Sequence, residues 1–473
     1  MRNADPLQGP FGPRGQAIRE GQAIDFHWSI EFSQSICQSQ FMVDNEDPGS
    51  GTPRDGTTTT PGPLGGGYWR LWTSSGLSNL ADGVLKVALP LLALRFTDSP
   101  LLIGGVGVAL SLPWLLFALP AGALADRLDR RRAMLGANTV RGTLALALLL
   151  GVGLDLGSIG LIYAAAFLLG TAETLYDTTA QSILPQLVRR DQLSRANGRL
   201  YGMEMAANEL IGPPLGSTLV AVGLALALFT PGALWLAAVG ALLLVRGRFG
   251  VSRTGPRTSM RADIAEGVRY LWSHRVLRTF AVLAGVSNFA LSAVFTLLVV
   301  YAVGPDSPLG LTEAAFGLLF STFAAGSLVG AFVAERCERM LGRARALRLS
   351  VVPFALLALV PGLTADAWLV GLGFVVGGIG VMVWNVITVS LRQRMAPGAL
   401  LGRVNSVYRL LAWGTRPLGA GVGGLLAQFL GTQAMFVVMG LLILTLTVPL
   451  LRIDDAALDA AESSGTPSSP KAA

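Results

Sequence analysis

About twelve long apolar segments follow one another from Tyr68 to Leu451, and arginine is largely confined to alternate gaps between them. A stretch of about 20 apolar residues crosses the hydrocarbon core as a helix, because every backbone N–H and C=O is then paired within the segment. Charged residues make up only 14% of the chain, against about 25% in soluble domains. The sequence therefore predicts an all-α polytopic membrane protein with about twelve transmembrane helices, embedded in a lipid bilayer.

The predicted segments are numbered spans 1 to 12 in chain order. They lie near residues 69–96, 101–125, 134–154, 157–186, 196–221, 224–246, 276–303, 312–335, 347–364, 367–391, 404–430 and 432–451. Six spans precede the longest gap and six follow it. The predicted organisation is a disordered segment 1–66, an N-terminal half 67–246, a central loop 247–275, a C-terminal half 276–452 and a disordered tail 453–473. The polar lead-in before Met42 also suggests that translation starts at Met42 rather than Met1.

The distribution of charge predicts orientation. Arginines crowd the gaps after spans 2, 4, 6, 8 and 10, whereas the other gaps carry mainly acidic residues such as Asp155 and Asp366. Arginine and lysine are retained on the cytoplasmic side, so both termini are expected in the cytoplasm and the protein in the plasma membrane. The net charge of +7 is thus explained by topology and does not indicate nucleic-acid binding. With two cysteines and two histidines, neither a metal site nor a cofactor is predicted.

The two halves resemble each other in sequence. Arg195 and Asn197 follow span 4, and Arg403 and Asn405 follow span 10 at the same spacing. Internal repeats of this kind build transporters in which two halves enclose a substrate site near the bilayer midplane. We therefore expect two pseudo-symmetric six-helix halves.

The gap between spans 2 and 3 carries a distinctive motif. Gly122 is followed by three residues, then Asp126, Arg127 and, after two more residues, Arg130 and Arg131. This pattern resembles the loop signature of the major facilitator superfamily, with an aspartate where the motif has a further glycine. The resemblance implies a cytoplasmic gate in which the aspartate and arginines form breakable, charge-assisted contacts. The alternative is that the arginines only set topology.

A weaker copy of the gate lies at the end of span 8. It consists of Gly330, Glu335 and Arg336, and we interpret it as the gate of the second half.

Two further segments refine the resemblance. The sequences of residues 177–185 and 192–197 resemble those of the twelve-span branch of the superfamily, which includes enterobactin exporters and macrolide-efflux-type permeases. In span 5, Gly212, Pro213 and Gly216 partly match a glycine–proline motif of the superfamily's antiporters. The prolines remove backbone donors and bend the helix, and the glycines allow close helix contact.

Charged residues inside the spans mark candidate functional positions, since an ionised group at mid-span costs about 2.5–3.5 kcal/mol on insertion scales. Asp82 and Lys86 lie one helical turn apart in span 1, and Glu173 and Asp177 do so in span 4. The resemblance implies that spans 1, 4, 7 and 10 line the cavity. The predicted substrate-cavity residues are Asp82, Lys86, Glu173, Asn288, Trp384 and Asn385.

Three carboxylates are candidates for proton coupling: Asp82, Glu173 and Asp177. Competition between substrate and proton for a midplane carboxylate would drive substrate outward as protons flow inward, with Lys86 modulating Asp82. Alternatively, Asp82 and Lys86 form a static ion pair, and Glu173 and Asp177 form a structural surface near the cytoplasm.

Spans 5 and 11 are expected to border the seam between the halves. Glu209 and Arg416 lie near the middle of these spans and are predicted to act as inter-half charges whose ion pairs favour one conformation. Arg141 and Arg409 are expected to extend toward the interface.

These features favour a secondary active transporter that exports a small amphiphilic molecule, such as a drug, macrolide or siderophore, by proton antiport with alternating access. It is expected to be a monomer and not an enzyme. The sequence holds no phosphate-binding loop for ATP-driven transport. The alternatives are a facilitated uniporter or importer of a metabolite and a non-transporting membrane sensor.

Overall fold

The computed structural model describes residues 64–125, 128–189, 192–247, 249, 260–304, 307–395 and 401–465. Within these ranges the chain is almost entirely helical, and its helices follow the twelve predicted spans. The predicted segment 1–66 lies outside the described residues up to position 63, and the last eight residues of the predicted tail also lie outside them.

The observed helices begin and end within a few residues of the predicted spans. Ten spans run without a break near the middle, and two are broken there. Spans 1 to 4 are Gly66–Ala93, Pro100–Ala125, Arg130–Gly153 and Ile159–Ile183, the last extended by a short 3₁₀ turn; span 6 is Leu224–Leu243. Spans 7 to 10 are Arg275–Ala302, Glu313–Leu341, Arg343–Leu363 and Ala367–Met395; span 12 is Thr432–Thr445 continued by Thr447–Leu450.

Spans 5 and 11 are each broken near the middle. Span 5 consists of Leu193–Met205, a π-helical turn Ala206–Ile211 and Gly212–Val222, and span 11 consists of Leu401–Gly414 and Arg416–Leu430. Each break precedes a proline, whose ring lacks an N–H and clashes with the carbonyl four residues earlier. Of the described helices, the ten unbroken spans are each long and apolar enough to cross a membrane.

The halves repeat the same packing. In the N-terminal half, span 1 packs on spans 5 and 6, span 2 on span 4, and span 3 on spans 4 and 6. In the C-terminal half, span 7 packs on spans 11 and 12, span 8 on span 10, and span 9 on spans 10 and 12. Each contact in one half thus has its counterpart six spans later, so the two halves are pseudo-symmetric.

The seam between the halves is formed mainly by span 2 against span 11 and span 5 against span 8, with a smaller contact between spans 2 and 7. Small residues allow the close approach of backbones there, as is usual between helices in lipid. A methyl group added at Gly104 would lie 2.8 Å from the carbonyl oxygen of Ala420 and 3.0 Å from the Cα of Gly424. These contacts lie near the arginine-poor end of the bundle.

Two helices lie outside the spans at the arginine-rich end. The central-loop helix, Met260–Ser273, packs on spans 7 and 11. Its Tyr270 hydroxyl donates to the carbonyl of Met395 at 3.0 Å, and Glu266 forms an ion pair with Arg403. The central loop therefore contains an ordered element that its charged sequence did not indicate.

The C-terminal helix, Asp455–Gly465, corrects the prediction of a disordered tail for these residues. Asp455 accepts a hydrogen bond from the backbone N–H of Ala344 at 3.0 Å, at the first turn of span 9, where the helix dipole favours a carboxylate. Arg343 forms ion pairs with Asp459 and, at 2.8 Å, with Glu462. The helix is thus held by Arg343 at the start of span 9 and by burial of its Leu458 in the core.

Candidate functional site

A buried ion pair joins spans 1 and 3. Arg141 is 1% exposed and forms an ion pair with Asp82. Its Nη1 donates to Ser78 at 3.2 Å, and its guanidinium carbon lies 4.5 Å from the ring centroid of Trp235. The expectation that Arg141 extends to the membrane interface is therefore wrong, because a carboxylate, a hydroxyl and an aromatic face surround it within the N-terminal half.

Lys86 is paired with Glu209 rather than with Asp82. Its Nζ donates to the two carboxylate oxygens of Glu209 at 2.6 and 2.7 Å. The predicted Asp82–Lys86 pair is thus corrected, because Arg141 neutralises Asp82 from span 3. The same contact corrects the prediction that Glu209 forms an ion pair across the seam, since Lys86 belongs to the same half.

The π-helical turn places Glu209 opposite Lys86. Pro213 and Pro214 lack the N–H groups that would bond to Glu209 and Leu210 in an α-helix. The N–H of Gly212 instead donates to the carbonyl of Ala207, five residues earlier. Single π-helical turns often occur at functional sites, and here the turn lies between spans 1 and 8.

Two carboxylates in span 4 remain without a partner. Glu173 and Asp177 are half-buried, and neither forms a hydrogen bond or ion pair with the residues that the structure describes. Arg141 is near enough to interact electrostatically with both, although it is already paired with Asp82. Span 4 therefore carries two carboxyl groups in the membrane region that have no direct contact with a cation among the described residues.

Arg416 faces the centre from the opposite half. It begins the second helix of span 11, and its Nε donates to Oδ1 of Asn288 in span 7 at 3.0 Å. The guanidinium lies 5.0 Å from the ring centroid of Trp413. Arg416 is exposed and, in the described part of the chain, has no ion-pair partner, so the predicted inter-half ion pair is not formed.

Electrostatic interactions nevertheless cross the seam. Glu209 and Glu173 are the negative charges that act on Arg416, and Asp177 and Glu204 act on Arg409. The carboxylates of this central region belong to the N-terminal half, whereas both arginines belong to the C-terminal half. A molecule between the halves would therefore meet negative charge on one side and positive charge on the other.

Span 10 contributes fewer side chains to the predicted substrate cavity than expected. Trp384 is 3% exposed and packs within the apolar core, so its assignment to the cavity is corrected. Asn385 is exposed and remains a candidate. Consecutive residues of a helix point about 100° apart, which is why one of these side chains is buried and the other exposed.

The predicted gate is only partly described. Asp126 and Arg127 lie outside the described residues, and Gly122 lies within span 2. Arg131 donates to the carbonyls of Leu242 and Leu243 at 3.0 and 2.8 Å. It thereby binds the carbonyl end of span 6, where a cation is favoured by the helix dipole.

Arg130 and Asp129, next to Arg131, also contact the segment that follows span 6. The backbone N–H of Arg130 donates to the carbonyl of Phe249 at 3.3 Å. Asp129, which replaces the glycine of the usual motif, accepts hydrogen bonds from the N–H groups of Arg132 at 3.0 Å and Phe249 at 2.8 Å. Its carboxylate thus caps span 3, which accounts for the departure from the motif.

The predicted gate of the second half lies at the arginine-rich end of span 8. A methyl group at Gly330 would lie 2.8 Å from the carbonyl oxygen of Ile379 in span 10. Glu335 and Arg336 are exposed. Oε1 of Glu335 lies 3.7 Å from Nε of Arg339, one helical turn later. Their role in gating stays a prediction.

The glycines of the span-5 motif serve close packing on span 1. A methyl group at Gly212 would lie 2.5 Å from the Cα of Gly83, and one at Gly216 would lie 2.5 Å from the carbonyl oxygen of Val84. Pro213 is buried beside them. The motif therefore brings Glu209 within reach of span 1.

Sequence reasoning missed a cluster of tryptophans and arginines at the seam. Trp114 of span 2 and Trp413 of span 11 pack edge to face with ring centroids 4.8 Å apart, and Arg409 lies 4.6 Å from the ring centroid of Trp413. The spacing of Arg409, Trp413 and Arg416 in the sequence could have indicated this cluster, because it places all three on one helical face.

The comparisons with known proteins agree with this architecture. Residues 58–471 match the model of a family described as transmembrane secretion effectors. The multidrug efflux pump Tap of Mycolicibacterium fortuitum is 29% identical over 383 residues, which cover 78% of this chain and 90% of the pump. The enterobactin exporter EntS of Citrobacter koseri is 26% identical over 340 residues, covering 70% of this chain and 78% of the exporter.

Solved structures show the same fold. The nucleoside transporter NupG superposes with a TM-score of 0.66 at 12% identity, covering 82% of this chain and 99% of NupG. A bacterial homologue of the iron transporter ferroportin, in an inward-facing state, superposes with a TM-score of 0.64 at 18% identity. The match covers 82% of this chain and 98% of the homologue. With the family match over most of its length, the chain belongs to the transmembrane secretion effectors of the major facilitator superfamily.

Proposed function

We propose that this protein is a secondary active exporter that moves a small amphiphilic molecule outward in exchange for protons. The observation that carries the proposal is the pair of half-buried carboxylates Glu173 and Asp177, which have no ion-pair partner in the described part of the chain. A carboxylate that lacks a cation inside the membrane is suited to bind a proton or a cationic group in turn. The likeness to Tap and EntS supports export as the direction.

The coupling role is assigned to span 4 rather than to Asp82. Asp82 was an equal candidate by sequence, but the Arg141 guanidinium already neutralises it. Removing one partner of such a buried pair costs about 3–5 kcal/mol, so Asp82 serves the stability of the N-terminal half. Glu173 and Asp177 lie one helical turn apart, close enough for a proton and a substrate to compete for them.

Alternating access is supported by closure of the arginine-poor end. Arg95 pairs with Glu313 across the seam at 2.9 Å, and Ser99 donates to Gln428 across it at 2.8 Å. If arginine-rich loops remain in the cytoplasm, this arrangement corresponds to a state closed to the outside, with both termini cytoplasmic in the plasma membrane. Substrate would enter this state from the cytoplasm.

The test uses everted membrane vesicles with an acidified lumen and a pH-sensitive dye. Erythromycin, enterobactin, ethidium and norfloxacin are added separately, and release of lumenal protons is followed. We expect proton release with at least one compound. Vesicles without the protein should show no release, and neither should vesicles that contain the double variant Glu173→Gln/Asp177→Asn. The surface variant Asp155→Asn, at an exposed position between spans 3 and 4, serves as the control and should behave like the unaltered protein.

A different pattern would overturn the proposal. Tracer movement that equilibrates downhill at the same rate with and without the proton gradient would indicate a facilitated uniporter. Proton release that survives the loss of both carboxylates would place the coupling site elsewhere.

A further inference from the structure

Among the described residues of the central region, Arg416 is a cation that no carboxylate contacts directly. Arg416 is exposed at the middle of span 11, and its only hydrogen bond with the described residues is from Nε to Asn288 at 3.0 Å. An amide oxygen orients the guanidinium but carries no charge to neutralise it. The two Nη groups remain free to donate.

This situation differs from that of two other cations near mid-span. Arg141 is paired with Asp82, and Lys86 with Glu209. A charge near the bilayer centre costs about 2.5–3.5 kcal/mol on insertion scales, so such residues usually face a partner or a wet cavity and mark substrate pathways. The exposure of Arg416 between spans 7 and 11 therefore points to a ligand rather than to a structural pair.

The position of Arg416 is between the halves and not toward lipid. Its guanidinium lies 5.0 Å from the ring centroid of Trp413, which packs on Trp114 of the other half. Glu173, from that same half, is among the negative charges that act on it. A planar cation, two indole rings and an unpaired carboxylate thus converge on one region from both sides of the seam.

The break in span 11 produces this arrangement. Pro417 cannot continue the preceding helix, and Thr415 donates its hydroxyl to the carbonyl of Gly285 in span 7 at 2.8 Å. The second helix therefore starts at Arg416, whose side chain reaches Asn288 on the same neighbouring span.

We propose that Arg416, oriented by Asn288, binds a carboxylate of the substrate, while Trp413 and Trp114 contact its aromatic portion and Glu173 binds its basic group. The substrate class is an aromatic zwitterion. A guanidinium presents parallel N–H donors that match both oxygens of a carboxylate, and aromatic faces accept flat apolar rings. This assignment rests on the proposed function, because it places the ligand on the transport route.

The experiment measures binding to the purified full-length protein in lipid nanodiscs by equilibrium dialysis. Three probes share one aromatic scaffold: norfloxacin carries both charges, N-acetylnorfloxacin keeps only the carboxylate, and norfloxacin methyl ester keeps only the basic amine. The unaltered protein should bind norfloxacin most tightly. Each single-charge probe should bind about 10-fold or more weakly, which corresponds to about 1.4 kcal/mol per lost contact.

The variants separate the two ends of the site. Arg416→Gln should weaken norfloxacin and N-acetylnorfloxacin about 10-fold and leave the methyl ester unchanged, whereas Glu173→Gln should weaken norfloxacin and the ester only. Arg278→Gln, which removes an exposed guanidinium from span 7, should change none of them. If Arg416→Gln does not fold, Arg416→Lys keeps the charge and should lower carboxylate binding while leaving the ester unchanged.

Two outcomes overturn the assignment: equal binding of norfloxacin and its methyl ester to the unaltered protein, or no binding of any probe up to its solubility limit. An equal loss for all three probes in Arg416→Gln and Arg416→Lys would likewise reduce Arg416 to a structural residue. Because equilibrium binding needs no proton gradient, these outcomes leave the vesicle test of export unaffected. Conversely, a failure of proton release there leaves the pattern of probe binding intact.

Discussion

At the scale of single residues, pairing decides which intramembrane charges are available for function. Asp82 and Lys86 share one face of span 1, yet each is neutralised by a residue of another span, Arg141 and Glu209 respectively. Glu173 on one half and Arg416 on the other have no such partner among the described residues. The central charges thus divide into structural pairs and groups open to a ligand or proton.

The Asp82–Arg141 pair is expected to be coupled in stability. Asp82→Asn or Arg141→Gln alone leaves a buried charge without its partner and should destabilise the protein by about 3–5 kcal/mol. The double variant should lose much less than the sum of the two. Unfolding of the purified protein in detergent, followed as a double-mutant cycle, measures this, and strictly additive losses would contradict the pairing.

At the scale of helices, the fifth span of each half is broken by proline, and each break presents charge to the centre. In span 5 the π-helical turn carries Glu209, and in span 11 the second helix starts at Arg416. Half-helices that meet near the midplane are a known device of transporters for exposing polar groups without leaving backbone unsatisfied. The breaks therefore belong to the site and not only to the fold.

Close approach of spans 1 and 5 is needed for this geometry. Gly83→Ala would place a methyl group 2.7 Å from the carbonyl oxygen of Asn208, and the backbone would have to shift. We expect a lower melting temperature and a loss of transport. Gly136→Ala in span 3 meets nothing within 4 Å and should be neutral or slightly stabilising; equal effects of the two variants would contradict this account.

The C-terminal helix should stabilise the start of span 9. Asp455→Ala removes the carboxylate that accepts from the backbone N–H of Ala344, and loss of a helix cap typically costs about 1 kcal/mol. Hydrogen exchange at the first turn of span 9 should speed up, while the distant first turn of span 4, capped by Ser158, stays protected. Unchanged exchange at span 9 would show that the helix does not bind there.

At the scale of the whole molecule, the sequence predicted the spans well and their partners poorly. Span positions follow from runs of apolar residues, and the internal repeats implied the two halves. Helical spacing shows which residues share a face but not which neighbouring helix that face meets, so Lys86 was assigned to Asp82 and Trp384 to the cavity. The C-terminal helix was missed because its order depends on distant arginines such as Arg343.

Closure of the arginine-poor end predicts that tying the halves together there stops transport. In a background with Cys37→Ser and Cys337→Ser, the pair Ser99→Cys and Gln428→Cys replaces side chains that hydrogen-bond at 2.8 Å. A short bis-methanethiosulfonate, which forms a disulfide with each cysteine and releases methanesulfinate, should abolish transport, and cleavage with a reductant should restore it. Each single-cysteine variant is the control; transport that continues in the cross-linked protein would contradict alternating access through this seam.

The most direct measurement of the central claim is proton release on substrate binding, without any membrane gradient. The purified protein in weak buffer is mixed with the compound that the vesicle assay identifies, and a pH dye reports released protons. The account predicts release from the unaltered protein and none from Glu173→Gln with Asp177→Asn, even where the variant still binds the compound. Equal release from both proteins would contradict proton coupling at span 4.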